Sequence, residues 1–182
     1  MSRISTPETI DAAPEASRPL LEAVKAQLGS APNLFRIVGN SPAALEGYLG
    51  LSGALAKGKL DAKTRERVAL AVAQQNGCDY CLSAHTYLGT NLAKLSAEEI
   101  LANRKGGSSD AKAAAAVAFA VKLVEARGQV SADDVKAVRD AGFSEGEVVE
   151  IIGHVALNTL TNYVNTALET VVDFPLVEAS SL

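Results

Sequence analysis

Residues 66–85 read ERVALAVAQQNGCDYCLSAH, from Glu66 to His85. The first ten carry Val68, Leu70, Ala71 and Val72 among strong helix formers, and they predict a helix. Asn76-Gly77 ends it, because that pair favours the left-handed or turn geometry in which helices stop. A second helix is predicted from near Cys78 to about Ala93. Cys78 and Cys81 are the only cysteines, and His85 is one of two histidines. On a helix, residues three and four apart share a face, so two thiols and an imidazole are expected at one point.

Outward from this segment the chain keeps a helical rhythm. Asp61 is placed to cap the helix that carries Glu66. Upstream, Ser41-Pro42 is a helix start, and that helix is expected to run to about Lys57 with Gly58 as its C-cap. A shorter helix follows Pro19, with Leu20, Leu21, Val24 and Leu28 apolar and Gly29 as its stop. Ala31 to Arg36 reads as a turn with Leu34 and Phe35 inward, and residues 1–18 as an extended arm suited to lie on a partner subunit. Downstream, Ser96 with Glu99 and Ser144 with Glu147 read as capping boxes, and Ser131 with Asp134 as a near variant. Helices are predicted over roughly 97–104, 110–127, 132–140 and 145–171, the last with a broad apolar stripe from Val148 to Val171. No alternating strand with hairpin chemistry interrupts them, so the fold class is all-α. Residues 19–182 are expected to form one helical domain.

Composition narrows the function classes. The 182 residues are 48% apolar with 4% aromatic residues, which fits a globular protein packed with Ala, Val and Leu. A net charge of −4 and no basic run leave no face to neutralise phosphates, which argues against nucleic acid as a partner. The longest apolar run, Ala113 to Val121, is far short of the roughly 20 residues a spanning helix needs, and no membrane partner is expected. Arg3 is followed by no hydrophobic region of the kind that marks a secretory signal, so the expected location is the cytoplasm. In that compartment, two cysteines three apart point to catalysis or metal binding before a structural crosslink.

A thiol attacks only as thiolate, and an ordinary cysteine is mostly protonated at neutral pH. Cys78 is expected at the opening turn of its helix, where free N–H groups and the positive dipole end favour an anion. His85, four residues after Cys81, is within reach as a proton acceptor, and the tight turn could fold Glu66 back beside it. Residues three apart on a helix keep their Cβ atoms about 5–6 Å apart. Disulfides prefer about 3.5–4.5 Å. A Cys78–Cys81 bond would therefore need local tightening and be readily reduced.

In the order and spacing of Glu66, Cys78, Cys81 and His85, the chain resembles the carboxymuconolactone decarboxylase superfamily, specifically the alkylhydroperoxidase D branch and its peroxidase-related members. The resemblance implies an all-helical fold and assembly as homo-trimers or homo-hexamers. It also implies a thiol-dependent hydroperoxide reductase without cofactor or metal, served by a thiol or lipoyl-type reductant. In that family the second cysteine attacks the peroxide and the first resolves it, which assigns attack to Cys81, resolution to Cys78 and the proton relay to His85 and Glu66. Helix-dipole reasoning favours Cys78 as thiolate, so the two arguments disagree on the nucleophile. The peroxidase form often has a histidine between the cysteines where this chain has Asp79 and Tyr80, while the decarboxylase branch lacks the dithiol.

Three other readings stand beside this one. A decarboxylase or isomerase acting on a small lactone acid would use Glu66 or His85 as general acid/base and leave the thiols idle. A helical oligomerisation or metal-binding module would carry no catalysis, and a zinc site would need His154 to fold onto the cysteines as its fourth ligand. The pair could also be inert packing. His154 itself, beside Ile151, Ile152 and Val155, reads as a hydrogen-bonded core residue. Asn158, Asn162 and Asn165 read as polar residues that line a pocket or hydrogen-bond between subunits, and Tyr80 and Tyr87 as packing residues.

Overall fold

The run Val68 to Ala73 is apolar on every side, and a helix of that kind has no face to give to water. In the computed structural model, which describes residues 2–182, all six of these residues are at most 2% exposed. They lie in the helix Ala62–Gln75 at the centre of the molecule. Among the described residues there are nine α-helices and no strand: α1 (Arg18–Leu28), α2 (Asn33–Val38), α3 (Pro42–Leu55), α4 (Ala62–Gln75), α5 (Asp79–Asn91), α6 (Ala97–Arg104), α7 (Ala111–Glu125), α8 (Ala132–Asp140) and α9 (Glu145–Leu168). The central helix α4 packs against α5, α6, α7 and α9. Its faces feed separate clusters. Val68 and Val72 meet Phe119, Ala120 and Leu123 of α7 and Ile151 and Val155 of α9, Leu70 meets Leu95 and Ile100, and Ala73 meets the cysteines. Each fully buried Val or Leu here contributes about 1.5–3 kcal/mol of hydrophobic stabilisation.

Local chemistry sets most boundaries where the sequence places them. Gly29 and Gly77 adopt left-handed φ values of +83° and +63° and end their helices. Ser41, Asp61, Ser96, Asp110, Ser131 and Ser144 each accept an N–H of the first turn of the helix they open. Ser131/Asp134 and Ser144/Glu147 close full capping boxes.

Four expectations are corrected. Ser96 caps α6, but Glu99 does not reach back; it is drawn inward by Arg67 Nε at 2.7 Å and by Asn103, Ser108 and Ser109. Gly58 is no left-handed cap, since α3 ends at Leu55. Glu150 of α9 lies against Gly58 and accepts the N–H groups of Lys59 and Leu60, so a side chain at 58 would collide with that carboxylate. The last helix stops at Leu168 because Glu169 turns left-handed. Ala31 to Arg36 is not a simple turn: α2 starts at Asn33, and its free N–H groups are satisfied from far along the chain. Asp173 accepts from Asn33 N–H at 2.8 Å, and the Tyr80 hydroxyl accepts from Leu34 N–H at 3.0 Å.

Both ends of the described residues lie against the protein's own helices. Arg3 donates to Leu168 O and Ala167 O at the end of α9, and Arg36 reaches Pro7 O and Glu8 O. The C-terminal segment after α9 runs back over the start of α5. Val177 N–H donates to the Ser83 hydroxyl and Ala179 N–H to Asp79, while Arg104 and Gln74 hold the carbonyls of Glu178 and Ala179.

Candidate functional site

Because Gly77 turns the chain sharply, Cys78 is not inside the helix. It is the N-cap of α5, with extended backbone (φ −97°, ψ 97°), and its Sγ accepts the Cys81 N–H at 3.4 Å. The sequence expectation of two thiols on one helical face is corrected accordingly: Cys78 folds its sulfur over the first turn toward Cys81. Both residues are free thiols, buried to 2% and 3% exposure.

The two sulfurs have different surroundings. Cys81 lines a cavity of about 480 Å³ bounded by α1, α2, α3, α4, α5 and α9, and Cys78 does not. The Asn165 side-chain amide on α9 donates to Cys81 Sγ at 3.2 Å. The neighbouring Cys78 thiol, and after it the Asn165 amide, outweigh burial and bring the Cys81 thiol down to about 7. The adjacent Cys81 sulfur, with burial, pushes the Cys78 thiol upward. Both shifts favour Cys81 over Cys78 as the thiolate.

Glu66 and His85 meet as the tight turn allows. His85 Nδ1 lies 2.9 Å from Glu66 Oε2, both side chains being about one-fifth exposed on the cavity wall. Burial disfavours the imidazolium, but the charge and hydrogen bond of Glu66 more than offset it, so His85 titrates above its ordinary value. The imidazole is thus held by α4, and no hydrogen bond joins it to Cys81.

The remaining wall divides by polarity. Leu28, Leu34, Phe35, Leu49, Leu88 and Leu157 supply apolar surface, and Arg65, His154, Asn158 and Thr161 supply polar groups on the same cavity as Glu66 and His85. Tyr48 also lines it, its hydroxyl pushed up to about 12 by burial and then by the Cys81 charge. Tyr80 is a wall residue anchored by its hydroxyl to Asp173 at 2.8 Å, with Phe174 edge-on to its ring. Tyr87 packs on Phe174 and is half exposed.

His154 departs from the core reading. It is buried and lines the cavity, but its Nε2 finds no partner, and burial lowers its pKa. Among the described residues no group of three or more His, Cys, Asp or Glu side chains could hold a metal ion, so His154 does not complete a zinc site with the cysteines. The asparagines divide: Asn158 lines the cavity, Asn162 accepts from Asn76, and Asn165 reaches the sulfur. The sequence named Asn165 among the polar residues of this helix but did not connect it with the cysteines. Its only signal was an amide in an otherwise apolar helical stripe.

Comparison with known proteins places this arrangement. Residues 42–126, from the start of α3 through α7, match the model of the carboxymuconolactone decarboxylase family. An uncharacterized protein of Haemophilus influenzae is 53% identical over 45 residues, which cover 24% of this chain and only 40% of that protein. The whole fold is similar to the alkylhydroperoxidase AhpD core of a peroxidase-related protein from Ralstonia eutropha JMP134. The TM-score is 0.83 at 26% identity, over 94% of this chain and 92% of that one. The debrominase Bmp8, in complex with 2,3,4-tribromopyrrole, shares the fold at a TM-score of 0.79 and 21% identity, over 95% of this chain and 94% of that one. The family match over residues 42–126 and the overall fold support membership of the carboxymuconolactone decarboxylase superfamily, in its alkylhydroperoxidase D-like branch.

Proposed function

We propose that this protein is a thiol-dependent alkyl hydroperoxide reductase working through a Cys78/Cys81 dithiol–disulfide cycle. The observation that carries the reading is the asymmetry of the sulfurs: Cys81 lines the cavity with the Asn165 amide on its sulfur, while Cys78 lies off the cavity wall and accepts the Cys81 N–H.

The Cys81 thiolate attacks the terminal oxygen of the hydroperoxide, the O–O bond breaks, and the alkoxide leaves with a proton from the His85 imidazolium. Cys81 is then a sulfenic acid. Neutral His85, oriented by Glu66, takes the proton of Cys78, whose sulfur attacks that of Cys81. Hydroxide leaves as water, the disulfide forms, and an external dithiol or lipoyl-type reductant restores both thiols. One hydroperoxide and two thiols thus give one alcohol, one water and one disulfide. The apolar wall suits a substrate with a hydrocarbon body, and no resident cofactor is needed.

The test is consumption of an alkyl hydroperoxide by the purified protein with a dithiol reductant. Turnover that disappears in Cys81→Ser supports the reading, and full activity in that variant contradicts it. A second reading, acid–base catalysis on a small lactone acid, draws on the Glu66–His85 pair, which lines the cavity without bonding to sulfur. Turnover that survives complete thiol alkylation would favour it.

A dithiol that must be re-reduced in each cycle suits the reducing cytoplasm, and no helix among the described residues is long and apolar enough to cross a membrane. A homo-trimer or homo-hexamer is supported by α9, whose outward face carries Val149, Ile152, Leu160 and Tyr163 in the open.

A further inference from the structure

The inner face of α9 is unusual for a helix packed inside a protein. Asn158, Thr161, Asn162 and Asn165 are all at most 6% exposed, and buried polar groups cost free energy unless each finds a partner. Two of them spend their donors within the helix: Asn158 on His154 O and Thr161 on Asn158 O. The other two turn toward the α4–α5 turn. Asn162 accepts from Asn76 at 2.9 Å, leaving its own Nδ2 without an acceptor, and Asn165 spends its Nδ2 on Cys81 Sγ at 3.2 Å.

A neutral thiol is a weak acceptor, so a buried amide aimed at one is poorly compensated for losing water. A thiolate reverses this balance. A hydrogen bond to an ion is roughly twice as strong as a neutral one, and burial strengthens it further. The unspent Nδ2 of Asn162, one helical turn from Asn165, is a second donor on the same face. We propose that Asn165, assisted by Asn162, is a catalytic anion cradle that holds negative charge on Cys81. The inference rests on Cys81 being the reacting sulfur and adds a role for α9 that the Glu66–His85 relay does not fill. Charge on sulfur is stabilised from one side by α9, and protons are moved from the other by α4 and α5.

The experiment uses the full chain carrying Cys78→Ser, so that Cys81 is the sole thiol, and follows thiolate formation by ultraviolet absorbance against pH. Adding Asn165→Leu is expected to raise the midpoint by about one pH unit or more, a tenfold loss of thiolate below the midpoint. Asn162→Ala is expected to move it in the same direction by less. A midpoint unmoved by Asn165→Leu overturns the proposal, since a merely structural asparagine would leave it in place. Should Asn165→Leu not fold, the side-chain amide NMR signals of Asn165 in the Cys78→Ser protein must shift with the same midpoint as the thiolate, and signals that ignore the titration overturn the proposal equally. With Cys78 restored, hydroperoxide turnover by Asn165→Leu should fall about tenfold at neutral pH and recover in alkali. If the unsubstituted protein consumes no hydroperoxide, the functional reading fails while the thiolate titration still decides the cradle. If turnover is normal but the midpoint is unmoved, only the cradle fails.

Discussion

His85 Nδ1 and Glu66 Oε2 are 2.9 Å apart, so the imidazole on α5 takes its orientation from a carboxylate on α4. The contact exists because the left-handed Gly77 reverses the chain within two residues. Glu66→Gln keeps the shape and removes the charge. It is expected to lower the His85 titration midpoint and slow hydroperoxide turnover by about 10²–10⁴-fold, as loss of an acid–base partner does. The pair also affects stability. Because His85 is raised in the fold, its contribution is present below the ordinary imidazole pKa and is lost as pH rises through the raised value. Unfolding by denaturant at several pH values should show Glu66→Gln losing more stability on the acid side of neutrality than in alkali.

The thiols themselves should titrate apart. Cys81 is brought to about 7, and Cys78 is pushed upward. Alkylation of the reduced protein, mapped by peptide mass, should label Cys81 first, with a rate that climbs through neutral pH. Equal labelling, or a climb only in alkali, would show that the asymmetry is absent in solution.

Tyr80 links the thiol turn to the C-terminal segment. Its hydroxyl donates to Asp173 at 2.8 Å and accepts from Leu34 N–H at 3.0 Å, and the residue is 4% exposed. Tyr80→Phe leaves both partners without it and should cost about 1–3 kcal/mol in denaturant unfolding. Faster hydrogen exchange in residues 170–178 should accompany the loss.

The exposed apolar face of α9 gives a test of assembly. Val149, Ile152, Leu160 and Tyr163 are 67%, 43%, 46% and 63% exposed, and together they form one stripe. Sedimentation should return a trimer or hexamer, and Leu160→Glu should shift it to smaller species. A monomer in the unsubstituted protein would remove the proposed assembly.

What the sequence revealed, and what it hid, divides by distance along the chain. The all-apolar run of α4, the Asn76-Gly77 stop and the capping residues are local, and they gave the helices and the meeting of Glu66 with His85. α2 was missed because its starting N–H groups are satisfied by Asp173 and Tyr80, more than forty positions away. The position of Cys78 was misjudged by one residue: as an N-cap it places its sulfur outside the helical face, and this decides which thiol meets the cavity. Asn165 is 84 positions from Cys81, and only the packing of α9 on α5 reveals the contact.

The most direct measurement is mass spectrometry of the Cys78→Ser protein after one equivalent of alkyl hydroperoxide and a sulfenic-acid trap. The account predicts the trap on Cys81, and in the unsubstituted protein the loss of two hydrogens across Cys78 and Cys81. An unmodified Cys81 in the first experiment, or trapping on Cys78 in a Cys81→Ser protein at an equal rate, would contradict it.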